Sequence, residues 1–199
     1  LFSHYISTYL VRKTIEETSR QKNVLAQNIE NEIRALVLPN DSIKALDNLN
    51  CKIYYGDVTK KESLSSIFEN TDGKEVYVIH CAGVVYIKSK YNPIVYDVNV
   101  NGTKNIVNKV LEIDAKLIYV SSVHSITEKP NNEKITEITN FDSGKVVGLY
   151  AKTKAEAAKY VIDAIKNKNL NACIIHPSGI RKYGFKSGIS IFSPTMANR

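Results

Sequence analysis

The chain has 199 residues, 43% of them hydrophobic and 24% charged, which suits one soluble domain with a core of its own. No run approaches the roughly 20 apolar residues of a membrane span and no signal-peptide pattern opens the chain, so a cytoplasmic protein with no membrane partner is expected. The net charge of +7 comes from lysines scattered along the chain without any nucleic-acid module, and Cys51, Cys81 and Cys173 stand singly; neither nucleic acid, nor a metal, nor a disulfide framework is expected.

Residues 1–32 read as a polar helical segment with Val11, Ile15, Leu25 and Ile29 as sparse apolar positions. From there, short β-branched runs alternate with longer amphipathic segments. The strand candidates are Ile33 to Val37, Lys52 to Tyr55, Val76 to Cys81, Leu117 to Ser121 and Ala172 to His176, each apolar enough to be buried on both faces. Lys61 to Asn70, Ile94 to Ile113 and Val146 to Asn167 carry apolar residues at helical spacing with no internal proline. This rhythm predicts an α/β fold: a Rossmann-like, doubly wound parallel sheet, with crossover helices on both faces and ligands outside the carboxyl ends of the strands. The stretch from Val123 to Lys145, rich in Asn, Glu, Lys, Thr and Ser, reads as a long surface loop.

Tyr150 and Lys154 sit four apart at the start of the last helical segment, so both side chains share one helix face. With 12 tyrosines and many lysines, about one such spacing is expected by accident, and Tyr9/Lys13 and Tyr86/Lys90 also fit. Context separates them: only Tyr150 follows a strand ending in Ser121-Ser122 and precedes a strand ending in His176-Pro177-Ser178-Gly179. The residue types suit hydride transfer to a carbonyl, which builds negative charge on oxygen that a phenol can neutralise by giving up its proton. A neighbouring ammonium and an oxidised nicotinamide would lower the phenol from its ordinary value near ~10, and a serine hydroxyl can hold the substrate oxygen. Ser122 is the expected donor, with Ser121 as the alternative.

In these segments the chain resembles the extended short-chain dehydrogenases/reductases, the NAD-dependent epimerase/dehydratase group, and within it the dihydroflavonol reductase-like members. Ile33 to Val37 resembles the second strand of that family, Tyr55-Gly56-Asp57-Val58 the third, Val78 to Gly83 the fourth, and Val98-Asn99-Val100-Asn101-Gly102-Thr103 the helix with its structural asparagine. The resemblance covers roughly Ile33 to Ile180. It implies an NAD(P) cofactor with Asp57 and Val58 at the adenine, and Ala82 and Gly83 against the cofactor backbone. It further implies Pro177, Ser178 and Gly179 beside the nicotinamide, and Lys154 on the ribose as well as beside Tyr150. It implies a small-molecule substrate and, through the helical segments from Ile94 and Val146, a possible homodimer. Asp57 could instead merely cap a turn, and His80 and His176 read as satisfied strand-end histidines.

The pattern breaks at both ends. No glycine precedes Gly56, so the first strand and the glycine-rich phosphate turn are expected to be missing or replaced, leaving the sheet incomplete. Residues 33–180 form the expected nucleotide-binding domain and 181–199 a truncated tail toward the substrate region. Cofactor choice stays between NADP and NAD; Val37-Leu38-Pro39 offers no acidic residue for a ribose hydroxyl, and Lys44 near a 2′-phosphate favours NADP. The expected activity is reduction of a carbonyl, or oxidation of a secondary alcohol, on a small organic molecule. The alternatives are a sugar-nucleotide epimerase or dehydratase, or a non-catalytic Rossmann-like protein or inactive fragment.

Overall fold

Each of the five expected runs becomes a strand, with every end on the expected limit or one residue from it. The computed structural model describes residues 32–178 except 89, 131 and 132. Its strands are β1 (Arg34–Val37), β2 (Lys52–Tyr55), β3 (Tyr77–His80), β4 (Lys116–Val120) and β5 (Ala172–Ile175). The readings made for the N-terminal helical segment, save Glu32, and for the tail 181–199 lie outside the described residues. All pairings are parallel: β1 with β2, and β3–β4–β5 with β4 in the middle.

Burial on both faces, expected for every strand, holds only in part. Leu117, Tyr119 and Val120 of β4 are buried, whereas Tyr55 of β2 and Tyr77 of β3 are each more than half exposed. Among the described residues β4 alone has a partner on each side, while β1 and β3 are paired on one side only.

The first helical segment is a 3-10 turn (Lys61–Leu64) running into α1 (Ser65–Phe68). The second, expected as one helix, is three pieces: α2 (Pro93–Tyr96), a π-helical stretch (Asp97–Gly102) and α3 (Thr103–Glu112). Asn92 starts it, its side chain accepting from the Ile94 amide at 3.1 Å with Pro93 in the first turn. The third is α4 (Leu149–Lys168), ended by Asn169 in the left-handed conformation at φ 54°.

The core lies where α3 and α4 pack on β4. Val107, Val110, Leu117, Tyr119, Ala155, Ala158 and Val161 are all buried there. The β1–β2 pair joins this core through α3: Asn105 Nδ2 donates to the Val58 carbonyl at 2.8 Å, and Lys61 pairs with Glu112 at 2.9 Å. A Cβ on Gly102 would come within 2.7 Å of Val58 Cγ2, so only a glycine lets the π stretch sit this close. No helix among the described residues is long and apolar enough to cross a membrane.

Candidate active site

The carboxyl ends of β3, β4 and β5 converge on the first turn of α4. Gly148, at φ 93°, turns the chain into that helix and sets Tyr150 and Lys154 one turn apart on it. Of the competing pairs, Tyr86 and Lys90 fall in a stretch without regular structure, and Tyr9 and Lys13 lie outside the described residues. Lys154 is only 3% exposed; its Nζ donates to the Val120 carbonyl at 3.1 Å and lies 5.2 Å from the Tyr119 ring centroid. Burial takes the ammonium down from its ordinary value to about 8, opposed by the nearby Cys81 thiol.

Both serines after β4 are buried, but they face different partners. Ser121 Oγ meets Ser125 Oγ at 3.3 Å. Ser122 caps a 3-10 turn (Val123–Ser125), accepts from the His124 amide at 3.3 Å, and meets His124 Nδ1 at 3.1 Å. Burial pushes the Tyr150 phenol above its ordinary value, and the Ser122 hydroxyl beside it works the other way. Lys154 together with an oxidised nicotinamide is expected to bring this phenol down. Without a cofactor, burial of the ring sets the direction.

Beneath this group Asn99, fully buried in the π stretch, clamps the chain leaving β3. Its Oδ1 accepts from the Val84 amide at 2.7 Å, and its Nδ2 donates to the Val84 carbonyl and to Thr153 Oγ1, each at 3.0 Å. A Cβ on Gly83 would come within 3.2 Å of both Asn99 Oδ1 and Lys154 Nζ, so the backbone passes closely over the lysine. Ala82 precedes it in the same half-buried stretch.

The two strand-end histidines are satisfied. His80 Nε2 lies 3.0 Å from Thr103 Oγ1 and its ring stacks on Tyr119; burial lowers it to about 3, so it stays neutral. His176 Nδ1 lies 3.2 Å from both Ser125 Oγ and the Ser122 carbonyl, with Phe141 stacked on its ring at 5.3 Å. Phe141 belongs to the segment read as a surface loop, so that loop is pinned over the end of β5. Sequence reasoning missed Phe141, Ser125 and His124. The Ser122-x-His124-Ser125 spacing, with polar residues following a buried strand, was the signal for the latter two.

Asp57 does cap a turn. Its Oδ1 accepts from the Thr59 amide at 2.9 Å and the Thr59 hydroxyl at 2.8 Å, while its own amide donates to Ser63 Oγ. Both bonds fall on one oxygen of the carboxylate. Val58 follows at the rim of the core. Pro177 and Ser178 follow β5, with the Pro177 carbonyl accepting from the Val123 amide at 3.2 Å; Gly179 lies outside the described residues. Lys44 is exposed on a 3-10 turn (Lys44–Leu46), whereas Arg34 is used in the fold, donating to the Ile67 and Glu69 carbonyls. No group of three or more His, Cys, Asp or Glu among the described residues is placed to hold a metal ion.

Residues 5–193 match the model of the 3-beta hydroxysteroid dehydrogenase/isomerase family. No curated protein matches the chain. Among solved structures it is similar to a monomeric L-threonine 3-dehydrogenase from a metagenome, in its apo form. That match has 22% identity and a TM-score of 0.62, over 91% of this chain and 53% of the other. It is also similar to a dTDP-glucose 4,6-dehydratase from Bacillus anthracis in complex with NAD, with 17% identity, TM-score 0.61, and 82% and 50% of the two chains covered. A UDP-glucose 4-epimerase from Thermotoga maritima with UDP-glucose gives 16% identity and TM-score 0.61, over 86% and 51%. The chain thus spans about half the length of the structures it resembles. These likenesses establish a Rossmann-type α/β fold.

Proposed function

We propose, since the chain belongs to the 3-beta hydroxysteroid dehydrogenase/isomerase family of extended short-chain dehydrogenases/reductases, that it is an NAD(P)-dependent oxidoreductase. Its substrate would be a carbonyl, or the corresponding secondary alcohol, of a small organic molecule. The observation that carries this is the buried Lys154 ammonium one helical turn from Tyr150, with the Ser122 hydroxyl acting on the phenol.

The residues present suit a dinucleotide. Bare backbone at Gly83 passes over Lys154, where a side chain would collide. Asp57 has a carboxylate oxygen beyond the one used in its turn, for the adenosine end beside Val58. Ala82 and Gly83 would lie along the cofactor backbone, Pro177, Ser178 and Gly179 beside the nicotinamide, and Lys154 at its ribose. The exposed Lys44 favours NADP over NAD. When bound, the nicotinamide gives or takes the hydride. In the reducing direction Ser122 donates a hydrogen bond to the substrate oxygen, and Tyr150 releases its proton to that oxygen. Lys154 makes that loss cheaper by placing positive charge near the phenolate. In the oxidising direction Tyr150 receives the proton.

Residues 33–180 would constitute the nucleotide-binding domain, in a cytoplasmic protein of dihydroflavonol reductase-like character that pairs through its longer helices as a homodimer. A second reading, sugar-nucleotide epimerisation or dehydration, is favoured by the dehydratase and epimerase among the similar structures. Incubating the chain with NADPH or NADH and a panel of ketones, aldehydes and sugar nucleotides tests both. Loss of reduced-nicotinamide absorbance with alcohol product supports oxidoreduction; an isomerised or dehydrated sugar without net cofactor consumption supports the second reading. No product of either kind contradicts both.

A further inference from the structure

The Ser122 hydroxyl has a single proton, and the structure brings two claims on it. In the proposed reaction, on which this inference rests, that proton points at the substrate oxygen. Yet His124 Nδ1 lies 3.1 Å from the same Oγ, and the His124 amide already donates to it at 3.3 Å. The imidazole also stands edge-on to Tyr150, with ring centroids 6.1 Å apart, so its place is fixed by both active-site side chains. The residue is exposed, and these are the contacts that hold its ring.

We propose that His124 is a positioning residue that sets the direction of the Ser122 hydroxyl. With the proton on Nδ1, the ring donates to Ser122 Oγ and leaves the hydroxyl proton free for the substrate oxygen. With Nδ1 bare, the ring takes the hydroxyl proton, and Ser122 can then only accept. The productive arrangement is therefore the Nδ1-protonated ring, in which two N–H groups of His124 converge on one oxygen and aim its proton outward. Ser125 Oγ and His176 Nδ1 go to the Ser122 carbonyl, which leaves Oγ to His124 and to the Tyr150 phenol beside it.

The direct test is a nitrogen-15 spectrum of the intact chain with labelled histidine, taken with and without Ser122→Ala. The His124 Nδ1 signal, assigned by its loss in His124→Asn, should report a protonated nitrogen. It should move in Ser122→Ala while His176, whose bond is to the retained Ser122 carbonyl, stays in place. An unmoved His124 signal, or one showing a bare Nδ1 in the intact chain, overturns the proposal. In turnover, His124→Phe should lower kcat about tenfold, the worth of one net hydrogen bond, with the KM for reduced cofactor unchanged. His124→Asn, whose amide nitrogen falls near the place of Nδ1, should restore most of it. Adding His124→Phe to Ser122→Ala should cost nothing further; equal kcat in His124→Phe and the parent chain, or additive losses, overturns it. Absence of turnover in the parent chain removes the functional reading instead, and the nitrogen signals then decide the inference alone.

Discussion

Replacing Tyr150 by Phe is expected to lower carbonyl turnover by roughly 10²–10⁴-fold, the range that a positioned proton donor contributes, while the chain melts cooperatively within a few degrees of its parent. The substitution deletes one oxygen from a half-buried ring and leaves the ring's contact with His124. Folding has little reason to respond, because burial already disfavours the charged phenolate. The loss should lie in kcat, with cofactor binding retained. Steady-state rates beside a thermal melt of both proteins check this; a variant with parental kcat would remove Tyr150 from the chemistry.

Lys154→Met should abolish turnover and stabilise the fold. The ammonium titrates at about 8 in the folded chain against an ordinary value of 10.5, and burial is the chief cause. Between those two pH values the unfolded chain holds a proton that the folded chain has released, so stability rises with pH across that window. Below about pH 8 the whole cost of burying the charge is present, about 3 kcal/mol for a depression of this size. Methionine removes that cost but leaves the Val120 carbonyl without its donor and the Tyr119 ring without its cation, which returns about 1–3 kcal/mol. A net gain of up to about 2 kcal/mol at pH 7 follows, together with a flatter stability profile between pH 8 and 10.5. Denaturant unfolding at several pH values measures both. A variant that is less stable, or that keeps the parental slope, would show that Lys154 is charged and satisfied where it lies.

The parallel strands were legible because β-branched runs such as Leu117 to Val120 need burial and have few other places to go. Tyr150 and Lys154 were legible through their order after Ser121-Ser122, since the spacing alone matched two other pairs as well. The break at Asp97–Gly102 was not: widening one turn by a single residue barely disturbs the apolar spacing from Ile94 to Val110. That break has a consequence at Asn99, whose amide sits where it can hold both polar groups of Val84. The exposure of Tyr55 on β2 and Tyr77 on β3 was missed because apolar content says what a strand can bury, and neighbours decide what it does bury. The Val123 to Lys145 stretch looked like solvated loop from its polar composition. Its one aromatic residue, Phe141, reaches His176 and gives the loop a fixed place.

The central claim, that this chain builds a dinucleotide site around Gly83, Lys154 and Tyr150, meets its most direct test in calorimetric titration with NADPH, NADH and their oxidised forms. Saturable binding of one reduced cofactor per chain, weakened by Gly83→Leu, is the result expected. A cooperatively folded chain that binds none of the four would contradict the claim and leave a Rossmann-type scaffold without its ligand.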